Sequence, residues 1–491
     1  MDAHLPALQI VVPLMASPIC VALRRPALAL GFALAVVWSV FAMAVRLLLR
    51  VLDEGVVSYA MGGWPAPWGI EYRLDTLGAF VLVLVAGMGA IVLSYAPSTL
   101  AREIPRDRLY LFLATYLLAL TGLLGICITG DLFNLFVFLE ISALSSYAMI
   151  SMGTDRRALS ASFQYLVLGT IGATFILIGI GLMYMMTGTL NMADMAVRIG
   201  DVVGTRTVLA AFGFLTVGIA LKMALFPLHV WLPNAYTFAP SMVTAFLAAT
   251  ATKVSVYILI RFVFTIYGPD FAPEVARLDA FLIPLALIGI FTASTVAIFQ
   301  RNIKRMLAYS SVAQIGYMAL GIGFSTVTGL TAAIVHLFNH ALIKGGLFLA
   351  MGSIAMRIGS VRIEEMRGLG RRMPLTMFAW VLGGLGLIGV PGTAGFISKW
   401  YLIQAAVETE RWPVAALVLI SSLLALVYVW RVVEVAYFSP PDHETARCEA
   451  PPLMLAGTWL LIGASLFFGL YTSWSAGIAR RAAEALLGAG P

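Results

Sequence analysis

Apolar residues recur along this chain in helix-length blocks of roughly 20 residues, from residue 5 to residue 474, separated by short polar or glycine- and proline-containing turns. No block alternates with a period of two, as a lipid-facing strand would, so each reads as a membrane-crossing helix. The pattern predicts about fourteen crossings: 5–23, 27–49, 74–95, 109–127, 131–151, 160–186, 206–235, 241–266, 278–299, 304–323, 328–356, 374–407, 413–438 and 453–474. No Lys or Arg precedes the first block and no clear cleavage site follows it, so it reads as a span rather than a signal peptide. The stretch 62–68, Gly-Gly-Trp-Pro-Ala-Pro-Trp, is too polar to cross, and its tryptophans suit the membrane interface.

Two blocks are too long to cross as straight rods. Between Arg206 and Pro240 the charge is almost confined to Lys222, and a continuous helix there would run roughly 50 Å against a hydrocarbon core of about 30 Å. Pro227 and Pro233 mark where it must break. The second block, Pro374 to Glu408, is interrupted at Gly389-Val390-Pro391-Gly392 and carries Lys399. These are the seventh and twelfth crossings, five apart, each with one lysine beside its break. That is the signature of an internal five-helix repeat, and an odd number of helices per copy inverts the second copy.

The expected fold is therefore an all-α polytopic membrane protein of about fourteen transmembrane helices, with two inverted five-helix repeats and two broken helices. The expected units are 1–108 (helices 1–3), 109–266 (first repeat, helices 4–8), 278–438 (second repeat, helices 9–13) and 453–491 (last helix and short tail).

Composition adds an exclusion. Of 491 residues, 61% are hydrophobic and 11% charged, and the mean hydropathy is +0.96, values no water-soluble domain of this size shows. The net charge of +7 is spread over loops, so it reflects topology rather than nucleic-acid binding. Arg24 and Arg25, Arg102, Arg106 and Arg108, Arg156 and Arg157, Arg301, Lys304 and Arg305, and Arg357, Arg362, Arg367, Arg371 and Arg372 all lie in odd-numbered loops. Those loops are expected to be cytoplasmic, with both termini outside a bacterial inner or plasma membrane; Arg480 and Arg481 run against this. Cys20, Cys127 and Cys448 are isolated, so neither a disulfide framework nor a cluster site is expected.

Ionisable residues inside crossings cost about 2.5–3.5 kcal/mol each on insertion scales, so each calls for a partner or a purpose. Glu140 lies nine residues past Asp131, about 14 Å into its helix. Lys222 is its natural counter-ion, and such a pair can act as a switch, or it can be purely structural. Lys253 sits about 18 Å into the eighth crossing among hydroxyl neighbours. In the eleventh, His336, His340 and Lys344 share one face at a spacing of four, beside Asn339. With Lys399 they form a file of proton-exchanging groups along the middle of the bilayer, bridged by water and by Ser310, Ser311, Gln314 and Tyr317.

Plainer readings stand beside these. The histidines can be core residues, and their spacing suits two metal ligands, but no third is evident, so neither metal nor cofactor is expected. Lys344 can snorkel from a helix end. Asp155 beside Arg156 and Arg157, like Lys304 and Arg305, reads as interfacial topology, and His229 as either a gate or a helix-end hydrogen bonder.

With those residues in view, the chain resembles the proton-translocating antiporter-like family found in Mrp-type multisubunit sodium/proton antiporters and in the NADH-quinone oxidoreductase membrane arm. The resemblance covers roughly Tyr110 to Tyr401. It rests on the stretch Asp131 to Glu140, the lysine-proline segment Lys222 to Asn234, the run Arg301 to Ser311, His336 to Lys344, and Gly395 to Trp400. Lys222 to Tyr236 followed by Ala248 to Lys253 looks most like the D-type member of the Mrp set.

The resemblance implies a fourteen-helix fold with inverted repeats. It implies Glu140 and Lys222 as coupling pair, Lys253 as central relay, His336 and His340 as connectors and Lys399 as terminal site. The residues themselves add His229, Lys344 and Asp155 as accessory candidates. The short tail departs from the largest members of both the respiratory and the Mrp sets, and Lys399 departs from a respiratory member expected to carry glutamate there. The expected function is proton movement coupled to sodium or another monovalent cation, with other membrane subunits as partners. The alternative is a proton-pumping subunit of an NADH-quinone oxidoreductase or related hydrogenase complex. A solute permease would want a polar or aromatic cage in place of an axial file of titratable groups.

Overall fold

A computed structural model describes residues 2–440 and 447–488; the last three residues of the unit expected at 453–491 lie outside them. Crossing segments are numbered in chain order: α1 (Leu5–Leu23), α2 (Pro26–Glu54), α3 (Thr76–Tyr95), α4 (Leu109–Ile128), α5 (Leu132–Ser151) and α6 (Arg157–Thr187). Next come α7 in halves α7a (Arg206–Met223) and α7b (Trp231–Phe238), α8 in halves α8a (Ser241–Ala249) and α8b (Ala251–Ile260), α9 (Leu278–Ile298), α10 (Ile303–Gly323) and α11 (Val327–Ile358). The chain finishes with α12a (Pro374–Ile388), α12b (Ala394–Glu408), α13 (Trp412–Phe438), α14 (Pro452–Leu470) and a short α15 (Ser473–Leu486).

Twelve described segments are long and apolar enough to cross a membrane. The two remaining crossings are α10, whose Lys304, Arg305, Ser310, Ser311 and Gln314 make it less apolar, and the interrupted α12. Together they give the expected fourteen. The all-α reading holds except for one antiparallel hairpin before α3, Val57–Ala60 with Glu71–Leu74, and the loop at its tip exposes Trp64 and Trp68.

Contacts between connections join loops of like parity. On one face the Thr154 amide donates to the Glu103 carbonyl (3.2 Å), the Ile303 amide to the Val361 carbonyl (2.8 Å) and the Cys448 amide to the Arg372 carbonyl (2.9 Å), all in odd-numbered loops. On the other, the Gly130 amide donates to the Glu71 carbonyl (2.8 Å) and the Leu132 amide to the Leu190 carbonyl (2.9 Å), while Arg411 pairs with Asp279 at 2.6 Å.

The internal repeat has a backbone counterpart. Asp131, which caps α5 through the Asn134 amide, forms an isolated bridge with Asn191; Asn302, which caps α10 through the Arg305 amide, forms the same bridge with Arg362. Each residue of the second bridge lies 171 positions after its counterpart in the first, from 131 to 302 and from 191 to 362. Five crossings separate α5 from α10, so the two bridges lie on opposite faces, as inversion requires.

Both breaks expected from proline and glycine are present. α7a ends at Ala224 in the left-handed region (φ 60°), an uncommon conformation for alanine, and α12a ends at Gly389 (φ 87°), where glycine adopts it freely. The two halves of α12 meet closely, because a Cβ built on Gly395 would stand 1.9 Å from the Gly386 carbonyl oxygen.

A third interruption, not expected from the sequence, divides α8 at Thr250 (φ −122°, ψ −62°), and α8 closes in a π-helical turn over Arg261–Ile266. The segment Ala248-Ala249-Thr250-Ala251-Thr252 contains no glycine or proline. Its local signal is the Thr250 hydroxyl, which donates to the Phe246 carbonyl at 2.7 Å and competes with the helical ladder.

Gly395→Ala should destabilise the folded protein in detergent by about 1–3 kcal/mol, the usual cost of overpacking. Gly181→Ala, where a Cβ meets nothing within 4 Å, should not. Thermal unfolding midpoints compared side by side check both.

Candidate functional site

The break in α7 positions the first pair. Lys222 lies in the last turn of α7a, where a cation meets the negative end of the helix dipole. Its Nζ reaches Glu140 Oε1 on α5 at 3.0 Å, with the lysine side chain 5% and the glutamate side chain 21% exposed. Leu221's carbonyl, freed by the break, accepts from Trp231 Nε1 at 2.9 Å. Trp231 in turn stacks on Tyr165 at 3.9 Å between ring centroids. Tyr147, two turns from Glu140 on the same face of α5, is buried with no protein partner for its hydroxyl.

The break in α8 positions Lys253. Its Nζ donates to the Ala248 carbonyl and to Thr252 Oγ1 (3.3 Å), and the Tyr236 hydroxyl from α7b donates to the Leu247 carbonyl at 3.1 Å. Carbonyls freed in the middle of the protein thus receive an amine and a phenol, as membrane burial demands. Lys253 is fully buried.

Residues of α11 and α12 form the rest. His336 Nδ1 and Ser398 Oγ are 2.7 Å apart, and the rings of His336 and His340 stack at 5.8 Å with an interplanar angle of 11°. Among the described residues, neither nitrogen of His340, nor His336 Nε2, nor Asn339 Oδ1 has a protein partner, although all three residues are buried. Buried polar atoms of this kind are ordinarily satisfied by water, which makes this the place for a hydrated link. Lys399 Nζ donates to the Leu387 (3.2 Å) and Ile388 (2.8 Å) carbonyls at the end of α12a and to Ser422 Oγ (2.9 Å), and lies over the Tyr317 ring. Tyr317 Oη and Ser421 Oγ lie 2.6 Å apart.

The site residues therefore gather into two centres. Glu140 and Lys222 form one. Lys253, His336, His340, Lys344 and Lys399 form the other as a chain of neighbours: Lys253 and Lys344 near His340, His340 stacked on His336, and His336 near Lys399. Side chains that spacing alone does not reveal flank the two centres: Tyr165, packed on Tyr147 (4.5 Å) and Trp231 (3.9 Å), and Thr252, beside both Tyr236 and Lys253. Their signal in the sequence is only that hydroxyl-bearing residues flank both broken helices.

The fold adds detail at three positions. Lys344 does not snorkel: it lies midway along the 32-residue α11, fully buried, and donates to the Leu307 carbonyl (2.6 Å) and to Ser310 Oγ. Lys304 stays at the odd-loop face but turns inward: it is 6% exposed and donates to the Ala239 carbonyl at 2.9 Å. His229 lies between α7a and α7b, half-buried, with its ring facing Phe226 and Tyr309 of α10 and a hydrogen bond to the Pro227 carbonyl within the break. Asp155 stays in its loop, bonded to Arg157 at 2.8 Å, and that hydrogen bond holds its carboxyl below the ordinary value.

Residues 129–425 match the family described as NADH:quinone oxidoreductase/Mrp antiporter, transmembrane. The chain belongs to this family. Within it, the chain is 45% identical to the N subunit of the NADH-quinone oxidoreductase of Desulforudis audaxviator, over 92% of this chain and 90% of that protein. It is 32% identical to the D-type component of the Na(+)/H(+) antiporter of Alkalihalophilus pseudofirmus, over 87% and 85% respectively. It also superposes on a chain of the Mrp complex from Dietzia sp. with a TM-score of 0.90 and 26% identity, covering 99% of this chain and 97% of that one. Both site centres fall inside the matched family region.

With Tyr236 linking the centres, Tyr236→Phe should slow ion movement by roughly 100-fold, the low end of a lost proton-transfer group, while leaving the Glu140–Lys222 pair and protein yield unchanged. A transport assay in vesicles at matched protein content checks this.

Proposed function

We propose that this chain is the proton-translocating subunit of a multisubunit monovalent cation (sodium)/proton antiporter in a bacterial inner membrane, working beside other membrane subunits. The observation that carries the reading is the 3.0 Å ion pair of Glu140 and Lys222 at the break in α7, followed inward by a file of buried amines and imidazoles.

The chemistry follows from the pair. A proton arriving at Glu140 neutralises the carboxylate, and Lys222 loses its counter-ion in a poorly solvated site, where an unpaired ammonium is costly. Its proton becomes the mobile one. Tyr165, Tyr236 and Thr252 lead from there toward Lys253. Lys253 passes it to the His340–His336 stack, and Ser398 and Lys399 continue toward the face bearing the even-numbered loops. Supporting the two-fold organisation, the units 109–266 and 278–438 each carry one capped bridge, and its two residues are 60 positions apart in both.

The likeness to the D-type antiporter component and the Mrp-complex superposition support coupling to cation exchange. A second reading is favoured by the 45% identity to an NADH-quinone oxidoreductase component: the same proton route driven by redox chemistry in partner subunits. The two readings share every residue in this chain.

Glu140→Gln and Lys222→Met should each reduce sodium-driven dissipation of an imposed pH gradient in everted vesicles by at least ~10-fold without loss of assembled complex. His340→Ala should slow exchange and shift its pH profile. Wild-type rates in both pair variants would reduce the pair to scaffolding. Activity that requires a quinone and a reductant in place of sodium would select the redox-driven reading.

A further inference from the structure

On the face bearing the odd-numbered loops, which the loop cations mark as cytoplasmic, a cavity of about 240 Å³ opens between five connections. Its lining includes Glu103, Asp155, Arg157, Ser241, Lys304 and Ser360, and it is roomy enough for several waters. Lys304 is its buried cation. Most other cations of this face are exposed loop residues, but Lys304 turns inward, to the Ala239 carbonyl at the end of α7b.

Part of this arrangement is a static clamp. Where α7b ends and α8a begins, Lys304 meets the carbonyl end of one helix, and Glu103 holds the Ser241 amide and hydroxyl, both at 2.6 Å, at the start of the next. Opposite charges at those ends stabilise the elbow.

The residues inward of Lys304 go beyond a clamp. The Leu307 carbonyl, three residues along α10 and so about 4.5 Å further in, accepts from Ser310 Oγ (2.9 Å), Ser311 Oγ (3.1 Å) and Lys344 Nζ (2.6 Å). Ser310 Oγ also accepts from Lys344. Lys304, Ser311 and Gln314 share a face of α10, and Tyr317, one turn on, lies under Lys399. The cavity floor is thus followed by hydroxyls and then by a fully buried amine that the route from Glu140 does not use.

We propose that this cavity is a second proton intake, separate from the Glu140–Lys222 pair, in which Lys304 takes up a proton from cavity water and releases it along Ser311 and Ser310 to the Lys344 amine. The inference rests on the proposed function. Asp155 and Glu103 at the rim and wall give the cavity carboxylates near Lys304, and Arg157 holds Asp155 ionised.

The test uses the assembled complex with Cys448→Ser; Cys20 and Cys127 are buried. In everted vesicles Lys304→Cys should lower exchange at least ~10-fold. A 2-aminoethyl methanethiosulfonate adduct, which rebuilds an amine, should restore it when added at the odd-loop face, whereas the neutral methyl reagent should not. Lys304→Arg, which keeps the charge and the carbonyl bond but does not release its proton, should stay slow.

Wild-type exchange in Lys304→Arg, equal rescue by the methyl reagent, or modification from the even-loop face alone would overturn the intake and leave the clamp. Wild-type vesicles that move no protons would instead remove the functional reading on which the intake rests.

Discussion

A backbone carbonyl released from a helix inside the bilayer has no water to turn to, so the protein must supply a donor for it. Among the described residues the chain breaks three of its crossing helices and meets that demand with side-chain N–H and O–H donors, amines foremost. Trp231 serves the break in α7, Lys253 and Tyr236 the break in α8, and Lys399 the break in α12. An amine suits the task because it donates hydrogen bonds whether or not it carries its extra proton. The lysines of α8 and α12 can therefore exchange a proton without leaving the carbonyls they seal.

The same economy explains where the charges are. Lys222 and Lys399 sit by the C-terminal ends of α7a and α12a, the negative poles of half-helices, which stabilise a cation that lipid would reject. Of the two, Lys222 alone has a carboxylate within bonding distance. That difference separates a place where charge is held as a pair from places where it is held by dipoles and hydroxyls alone, and it is why the proposed route is drawn from Glu140 and Lys222.

Much of this is legible in the sequence because its causes are local. Proline and glycine mark the breaks in α7 and α12, and apolar runs with loop cations mark the crossings and their parity. The break at Thr250 is not legible, since alanine and threonine are ordinary helix residues and its partners, Tyr236 and Lys253, meet only in the fold. Depth along a helix can be counted, which locates Glu140 and Lys253. Rotation and neighbours cannot, which is why the choice at Lys344 between a buried station and a snorkelling side chain, and the inward turn of the interfacial Lys304, emerge only once α10 is packed against α7b and α11. The aromatic and hydroxyl link through Tyr165, Tyr236 and Thr252 is hidden for the same reason: it joins three helices and leaves no spacing in any one of them.

The central claim is that Glu140 changes protonation while the protein works. Infrared difference spectra of the membrane-embedded complex, recorded as a sodium or proton gradient is switched on, read this directly. A carboxylic-acid carbonyl band should appear in the wild type and be absent in Glu140→Gln. No such band in an actively transporting wild type, or the same band persisting in Glu140→Gln, would contradict the account.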